Sequence, residues 1–225
     1  MFYREAGQFK TSYQSDGQVF PIRQDRIALL ALLAVALVAV PMFASPYMLS
    51  AILIPFLIFS LAALGLNILT GYCGQLSLGT AAFMAVGAFA SWNFIARLPG
   101  MPMLLAFVLG GLCAAMVGIA FGLPSLRIRG FYLAASTLAT QFFVVWCLTK
   151  IPYLTHYRSS GVITAQKITI LGYAFDTPAS KYMLVLAIVA LMALMAKNMV
   201  RSNVGRSWMA VRDMDVAAEV IGFRP

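Results

Sequence analysis

Charge is what this chain has least of: Asp, Glu, Lys and Arg supply 10% of its 225 residues, against roughly one-quarter in a soluble globular domain. Between Ile27 and Ala96 there is no charged residue and no histidine. A fold that keeps a solvated surface is thereby excluded, and the uncharged run is too long for a single crossing at about 20 residues per helix. A cleaved leader fits poorly as well, because such a segment is basic and short in its apolar part. The first 26 residues mix Glu5, Asp16 and Asp25 with Arg4, Lys10, Arg23 and Arg26, and we read them as an uncleaved polar tail.

Cysteine and histidine are scarce too. Cys73, Cys113 and Cys147 are odd in number, lie in apolar surroundings and lack metal-ligand spacing, which makes them small buried hydrophobes rather than a disulfide frame. His156 is the lone histidine and reads as an exposed loop residue. No HExxH or GxSxG is present, so neither a zinc site nor a serine nucleophile is offered to intramembrane hydrolysis. No metal or cofactor is expected. The absence of GxxxxGK[ST] removes ATP binding in the P-loop manner. No acidic residue or histidine falls within the predicted spans, although ion-coupled carriers need such groups. A moving transporter would therefore draw its energy from a partner, whereas a passive channel would need none.

What the chain has in abundance is long apolar stretches, 62% of its residues being hydrophobic. Crossings are predicted at 27–45, 47–70, 75–96, 101–123, 131–149 and 182–200. The runs are continuous rather than alternating, which selects helices over a barrel. The expected fold is all-α, a polytopic transmembrane helical bundle of about six spans. With a cytosolic N-terminus, eleven of the sixteen Lys and Arg fall inside, in line with the positive-inside rule. The net charge of +9 is thus directed at membrane lipid and orientation, not at nucleic acid. The organisation expected is a cytosolic tail 1–26, a membrane region 27–200 with an external loop 150–181 forming a small cap, and a cytosolic segment 201–225. The uncharged join 71–74 decides the parity.

The neutral polar groups at membrane depth are Asn67, Thr70, Gln75, Ser77 and Thr80, set around Gly71, Gly74 and Gly79. Two readings stand side by side. Glycines let a helix break and expose carbonyls to a translocation path, and small residues equally let helices pack closely. Ser136, Thr137, Thr140 and Gln141 form a further polar strip with the same two readings, and the GxxxG pair Gly118 and Gly122 is assigned to helix contact.

The last segment, RSNVGRSWMAVRDMDVAAEVIGFRP, is different in kind. Helical spacing places Trp208, Val211, Met214, Ala218 and Ile221 along one face, with Arg212 three residues before Asp215. Asp213 or Asp215 is positioned to cap a second short helix carrying Glu219 in its first turn, and Gly222 and Pro225 supply stops. Two short helices with a corner near Asp213 fit as well as one rod. Its charges forbid a further crossing. Lipid or a protein groove would each accept an amphipathic helix, and Asp213, Asp215 and Glu219 among the arginines favour a protein surface with matched charges.

Three blocks, GLNILTGYCGQLSLGTAAFMAVGAF, LPSLRIRGFYLAASTLA and SNVGRSWMAVRDMDVAAEVIG, together resemble the LivM-type permease subunits of branched-chain amino acid ABC importers. Thr80 stands where that family commonly has a histidine. The resemblance implies a permease half that pairs with a second permease subunit and is driven by two cytosolic P-loop ATPase subunits. A periplasmic solute-binding protein would feed it. It further implies that Gly205, Arg206, Trp208, Val211, Arg212, Asp213 and Glu219 belong to the ATPase-coupling segment. In that segment Trp208 and Val211 would sit in the ATPase groove. Because the family continues for several spans beyond this segment, the chain is expected to be cut short there. The solute is not specified: branched-chain amino acids, urea and short amides are all served by such permeases. A passive solute channel and a membrane scaffold with a recruiting tail are the competing classes.

Overall fold

A computed structural model of the chain describes residues 11–12, 23–125, 131–155, 157, 162–164, 169–170, 173–220 and 222. Most of the expected N-terminal tail, Arg127 and Arg129 of the second resemblance block, His156, Ile221 and Pro225 lie outside the described residues. Among the described residues, five helices are long and apolar enough to cross a membrane: Gln24–Phe43 (α1), Met48–Tyr72 (α2), Met103–Pro124 (within α4, Met103–Ser125), Tyr132–Lys150 (within α5, Phe131–Lys150) and Pro178–Arg201 (α6). Helix α3, Thr80–Arg97, stands where the crossing at 75–96 is predicted. Two short helices follow α6, namely α7 (Asn203–Asp213) and α8 (Asp215–Val220).

Local chemistry sets the helix starts. Ser45 Oγ accepts from Met48 N at 3.3 Å, with Pro46 in the first turn. Thr177 Oγ1 accepts from Ser180 N at 3.3 Å, with Pro178 opening α6. Both are the pairing of a capping hydroxyl with a proline whose missing N–H costs nothing in a first turn. Prolines also shape the helix interiors. Pro41 and Pro55 each follow closely on a π-helical stretch, Val35–Ala39 and Met48–Leu53. A proline removes one ladder bond and crowds the carbonyl four residues earlier, and a widened turn relieves the crowding. Within the first of these stretches the carbonyl of Ala36 accepts from Tyr182 Oη at 3.2 Å, tying α6 to α1.

The packing falls into two clusters. Leu49, Tyr182 and Leu186 hold α1, α2 and α6 together, while Ala82, Val86, Val144 and Leu148 join α3 to α5, with Phe89, Ala114, Val117 and Phe121 around them. The buried set is small. The chain exposes 15701 Å², where a soluble monomer of 24.4 kDa would expose about 10,000 Å². Much of this surface is apolar, including Phe43, Phe56, Phe59, Leu112, Met116 and Phe142, as expected of helices that face hydrocarbon.

Helix α3 is the exception. Of its residues only Ala81 and Ala88 are exposed. It lies between α4 and α5, so its Ser91, Trp92 and Asn93 meet protein instead of lipid, and the pressure for an apolar sequence is relaxed. It also runs alongside α5 from end to end. The residues leading into α3 bond to Thr137 near the start of α5, since Leu78 N donates to Thr137 Oγ1 at 3.0 Å. At its far end Asn93 Nδ2 donates to Leu154 O at 2.9 Å and Arg97 bonds to Tyr153 O, both just beyond α5.

The closest helix approach is not at the GxxxG pair. A Cβ on Gly122 would meet nothing within 4 Å, and one on Gly118 would meet only the Phe83 ring at 3.6 Å. The tight contact is between α3 and α4 at Gly110, where an added Cβ would lie 2.8 Å from Gly87 O and would collide with Ser91 Oγ. In the 150–181 region Tyr153, Leu154 and Thr164 lie against the C-terminal end of α3: Trp92 Nε1 donates to Thr164 O at 2.9 Å, and the Arg97 guanidinium sits 3.7 Å from the Tyr153 ring centroid. A two-residue antiparallel ladder pairs Thr169 with Ala174.

Candidate functional site: a helix break beneath a surface helix

Helix α2 ends by widening. Its last turn, Ile68–Tyr72, is π-helical, with Cys73 N bonded to Ile68 O and Gln75 N to Leu69 O, both at 3.1 Å. Gly74 then takes a left-handed φ of 70°, a conformation that glycine alone adopts without strain. From Gly74 to Gly79 the chain is not helical. The helix therefore runs through Tyr72 and breaks at 73–79, past most of the 71–74 join, and the crossing predicted from 75 begins only at Thr80.

Two of the candidate path residues lie in the break itself. Gln75 and Ser77 line a cavity of about 220 Å³ together with Gly79, Thr137 and Thr140. Ser77 is buried, and its Oγ accepts from Gly79 N at 3.3 Å. Thr140 Oγ1 donates to Ser136 O at 3.0 Å. Asn67, Thr70 and Thr80 do not line this cavity. Asn67 is exposed, and Thr70 spends its hydroxyl on Leu66 O at 2.8 Å. Thr137 and Thr140 of the α5 polar strip and the glycine-flanked break on the 71–79 stretch thus converge on one small cavity whose wall is otherwise mostly apolar, with Leu69, Leu76, Phe83, Phe121 and Leu133. Gly118 and Gly122 give it room. Thr137 is its hinge pin: Thr137→Val leaves the Leu78 amide without its acceptor, at about 1 kcal/mol, and amide exchange at Leu78 is expected to accelerate several-fold while exchange within α5 stays unchanged.

The same break underlies the C-terminal helices. Helix α7 packs on the ends of α6 and α2. At its start Gly205 is buried, and a Cβ there would collide with the carbonyl of Val200. The corner between α6 and α7 is thus built on a glycine. Met214 is extended, with φ −158° and ψ 97°, and separates α7 from α8, so the corner falls one residue past Asp213. Gly222 closes the segment with φ 91° and its N–H on Glu219 O at 3.0 Å.

The expected apolar face is divided by this corner. Trp208 and Val211 are half-buried and Ala218 is buried, whereas Met214 is 69% exposed. Val216 and Val220 are exposed beside it. The expected pairing of Arg212 with Asp215 does not occur. Arg212 instead binds its neighbour Asp213, with Nη2 at 2.6 Å and Nε at 2.8 Å from Oδ1. Asp215 Oδ1 accepts from Val216 N at 2.8 Å inside the first turn of α8. Arg206 reaches Asn203 Oδ1 at 2.7 Å, and Glu219 is exposed. Arg212, though exposed, also reaches the end of α2, donating from Nη1 to Gly71 O, a contact that spacing within one helix could not reveal.

These features define a class: a multi-span helical membrane protein with a broken helix next to an amphipathic surface corner. Residues 48–225 match the family model described as the branched-chain amino acid transport system / permease component, and the chain belongs to that family. It is similar to the high-affinity branched-chain amino acid transport system permease protein LivM of Escherichia coli (strain K12), at 27% identity over 90% of this chain and 52% of that protein. It is 28% identical, over the same shares, to the LivM of Salmonella typhimurium (strain LT2). The chain spans about half the length of these curated relatives. No solved structure matches it.

Proposed function

We propose that this chain is a permease subunit of an ABC importer in the bacterial inner membrane, carrying branched-chain amino acids or related small solutes such as urea and amides. It pairs with a second permease subunit. Two separate P-loop ATPases supply the energy, and a periplasmic solute-binding protein delivers the solute. The N-terminus and the C-terminal corner are cytosolic, with six crossings; the side-by-side course of α3 and α5 supports counting α3 among them. The family match gives the class, and one observation carries the mechanism: α7 and α8 present charge and exposed apolar side chains at the very end of the bundle where α2 breaks. Surface that faces outward from this corner includes Val204, Arg206, Asp213, Met214, Asp215, Val216, Glu219 and Val220. The ATPase contact is therefore assigned to Met214, Val216 and Val220 with their charged neighbours, whereas Trp208 and Val211 hold the corner to its own membrane body.

A rigid corner of this kind carries displacement from a closing ATPase to α2 and α6, since differential contacts in two states are enough to shift a conformational equilibrium. The test is purification of the complete transporter from membranes. Val216→Asp together with Val220→Asp is expected to reduce retained ATPase at least about tenfold, in keeping with the loss of two exposed apolar anchors from an interface. Uptake would fall in parallel. Solute flux that persists without nucleotide or ATPase would instead identify a channel.

A further inference from the structure

Arg212 is placed as a clasp, not as a docking residue. Its guanidinium holds Asp213 on one side and the carbonyl of Gly71 on the other. That carbonyl belongs to the last turn of α2, where helix carbonyls lack intrahelical partners and a cation is favoured by the helix dipole. The aliphatic part of Arg212 lies along the break, so that a Cβ added to Gly74 would sit 2.6 Å from Arg212 Cγ. Gly74 is thus required twice, by its φ of 70° and by the arginine lying on it. The stretch that follows directly carries Gln75 and Ser77 into the 220 Å³ cavity.

We infer that Arg212 is a positioning residue that locks the surface corner to the helix break at Gly71–Gly74, so that movement of α7 is passed to the Gln75–Gly79 wall of the cavity. The inference rests on the permease reading for its consequence, though the clasp itself is a property of this chain. Asp213 orients the guanidinium. As an exposed neighbouring pair it contributes little stability of its own, and its value is directional.

Cys73 lies in the clasped turn and reports on it. It is half-buried, and burial pushes its thiol above the ordinary value, so alkylation is slow while the turn is closed. With Cys113 and Cys147 replaced by serine, the complete transporter in native membranes is treated with a hydrophilic maleimide. Arg212→Ala is expected to raise the Cys73 rate about tenfold, the scale for loss of a charged hydrogen bond that is partly solvated. Arg212→Lys should restore only part of the protection, because an ammonium cannot span Gly71 O and Asp213 with a planar fork. Gly74→Ala should raise the rate as well, and by a smaller factor in the Arg212→Ala background than with arginine present, since truncation removes the atom it strikes.

Function separates this clasp from a docking role. Arg212→Ala should retain the ATPase at wild-type level and hydrolyse ATP, while the solute moved per ATP falls several-fold. ATPase lost in proportion to uptake, with Cys73 unchanged, would overturn the clasp and return Arg212 to the docking surface. A wild-type complex that holds no ATPase, yet whose Cys73 rate responds to Arg212→Ala, would leave the clasp standing and remove the permease mechanism. Cys73 reactivity indifferent to Arg212 would overturn the proposal by itself.

Discussion

Gly205→Ala is expected to detach the surface corner from the membrane body. The added Cβ would meet the Val200 carbonyl far inside van der Waals contact, with Val200 C at 2.4 Å and Cα at 2.6 Å also in its way. All three are backbone atoms at the end of α6, so no rotamer change relieves the clash, and the corner must open. Overpacking that only main-chain movement can absorb lies at the upper end of its range, about 3 kcal/mol. The measurements are limited proteolysis after Arg201 and retention of the proposed ATPase subunit; the variant should be cut there rapidly and lose that subunit, while the spans stay folded. Arg206→Ala is the control. It removes an exposed hydrogen bond to Asn203 and is expected to change stability by less than about 0.5 kcal/mol. Equal effects from the two substitutions would show that the segment acts through its charges and not through the glycine corner.

That contrast shows what the sequence could and could not convey. Composition revealed the membrane bundle, because hydrocarbon leaves so few solutions for a chain with almost no charge. The C-terminal periodicity revealed an amphipathic corner, and the acids near Asp213 marked its position to within a residue. It did not show which side faces the body. A face drawn through Trp208, Val211, Met214 and Ala218 assumes one continuous rod, and the extended Met214 rotates the second half relative to the first. Gly205 drew attention as part of a block, but its reason lies five residues back, in a carbonyl that only the turn brings near. The Arg212–Gly71 bond joins residues 141 apart in sequence and leaves no periodic trace. Among the polar residues at membrane depth, Gln75, Ser77, Thr137 and Thr140 converge because the helix breaks between Gly74 and Gly79. Asn67 and Thr70 remain on the helix and look elsewhere.

Gly110→Leu is expected to separate α3 from α4 and to destabilise the bundle by about 2–3 kcal/mol. Spacing draws the eye to Gly118 and Gly122, but a small residue is required only where a neighbouring backbone actually arrives. At Gly110 the arrivals are Gly87 O and the hydroxyl of Ser91, which itself donates to Gly87 O at 2.7 Å. Two obstacles of different stiffness make the site dissectible. Gly110→Ala alone strikes both, whereas in a Ser91→Ala background the hydroxyl is gone and the Gly87 carbonyl at 2.8 Å and the Cβ of residue 91 at 3.1 Å remain in the way; the double variant should recover part of the loss, a coupling measurable as non-additive melting in detergent. The reverse substitution is predicted to be mild. A Cβ on Gly87 would lie 3.8 Å from Gly110 O, an ordinary contact, so Gly87→Ala should cost little although it belongs to the same pair. Gly111 provides the opposite sign: it is exposed, and nothing lies within 4 Å of its added Cβ, so Ala there should stabilise by up to about 0.5–1 kcal/mol through reduced backbone entropy. If Gly110 and Gly111 tolerated alanine equally, α3 would not be clasped against α4. Its shielding from lipid, and with it the reason that so weakly apolar a helix sits inside the bundle, would then need another explanation.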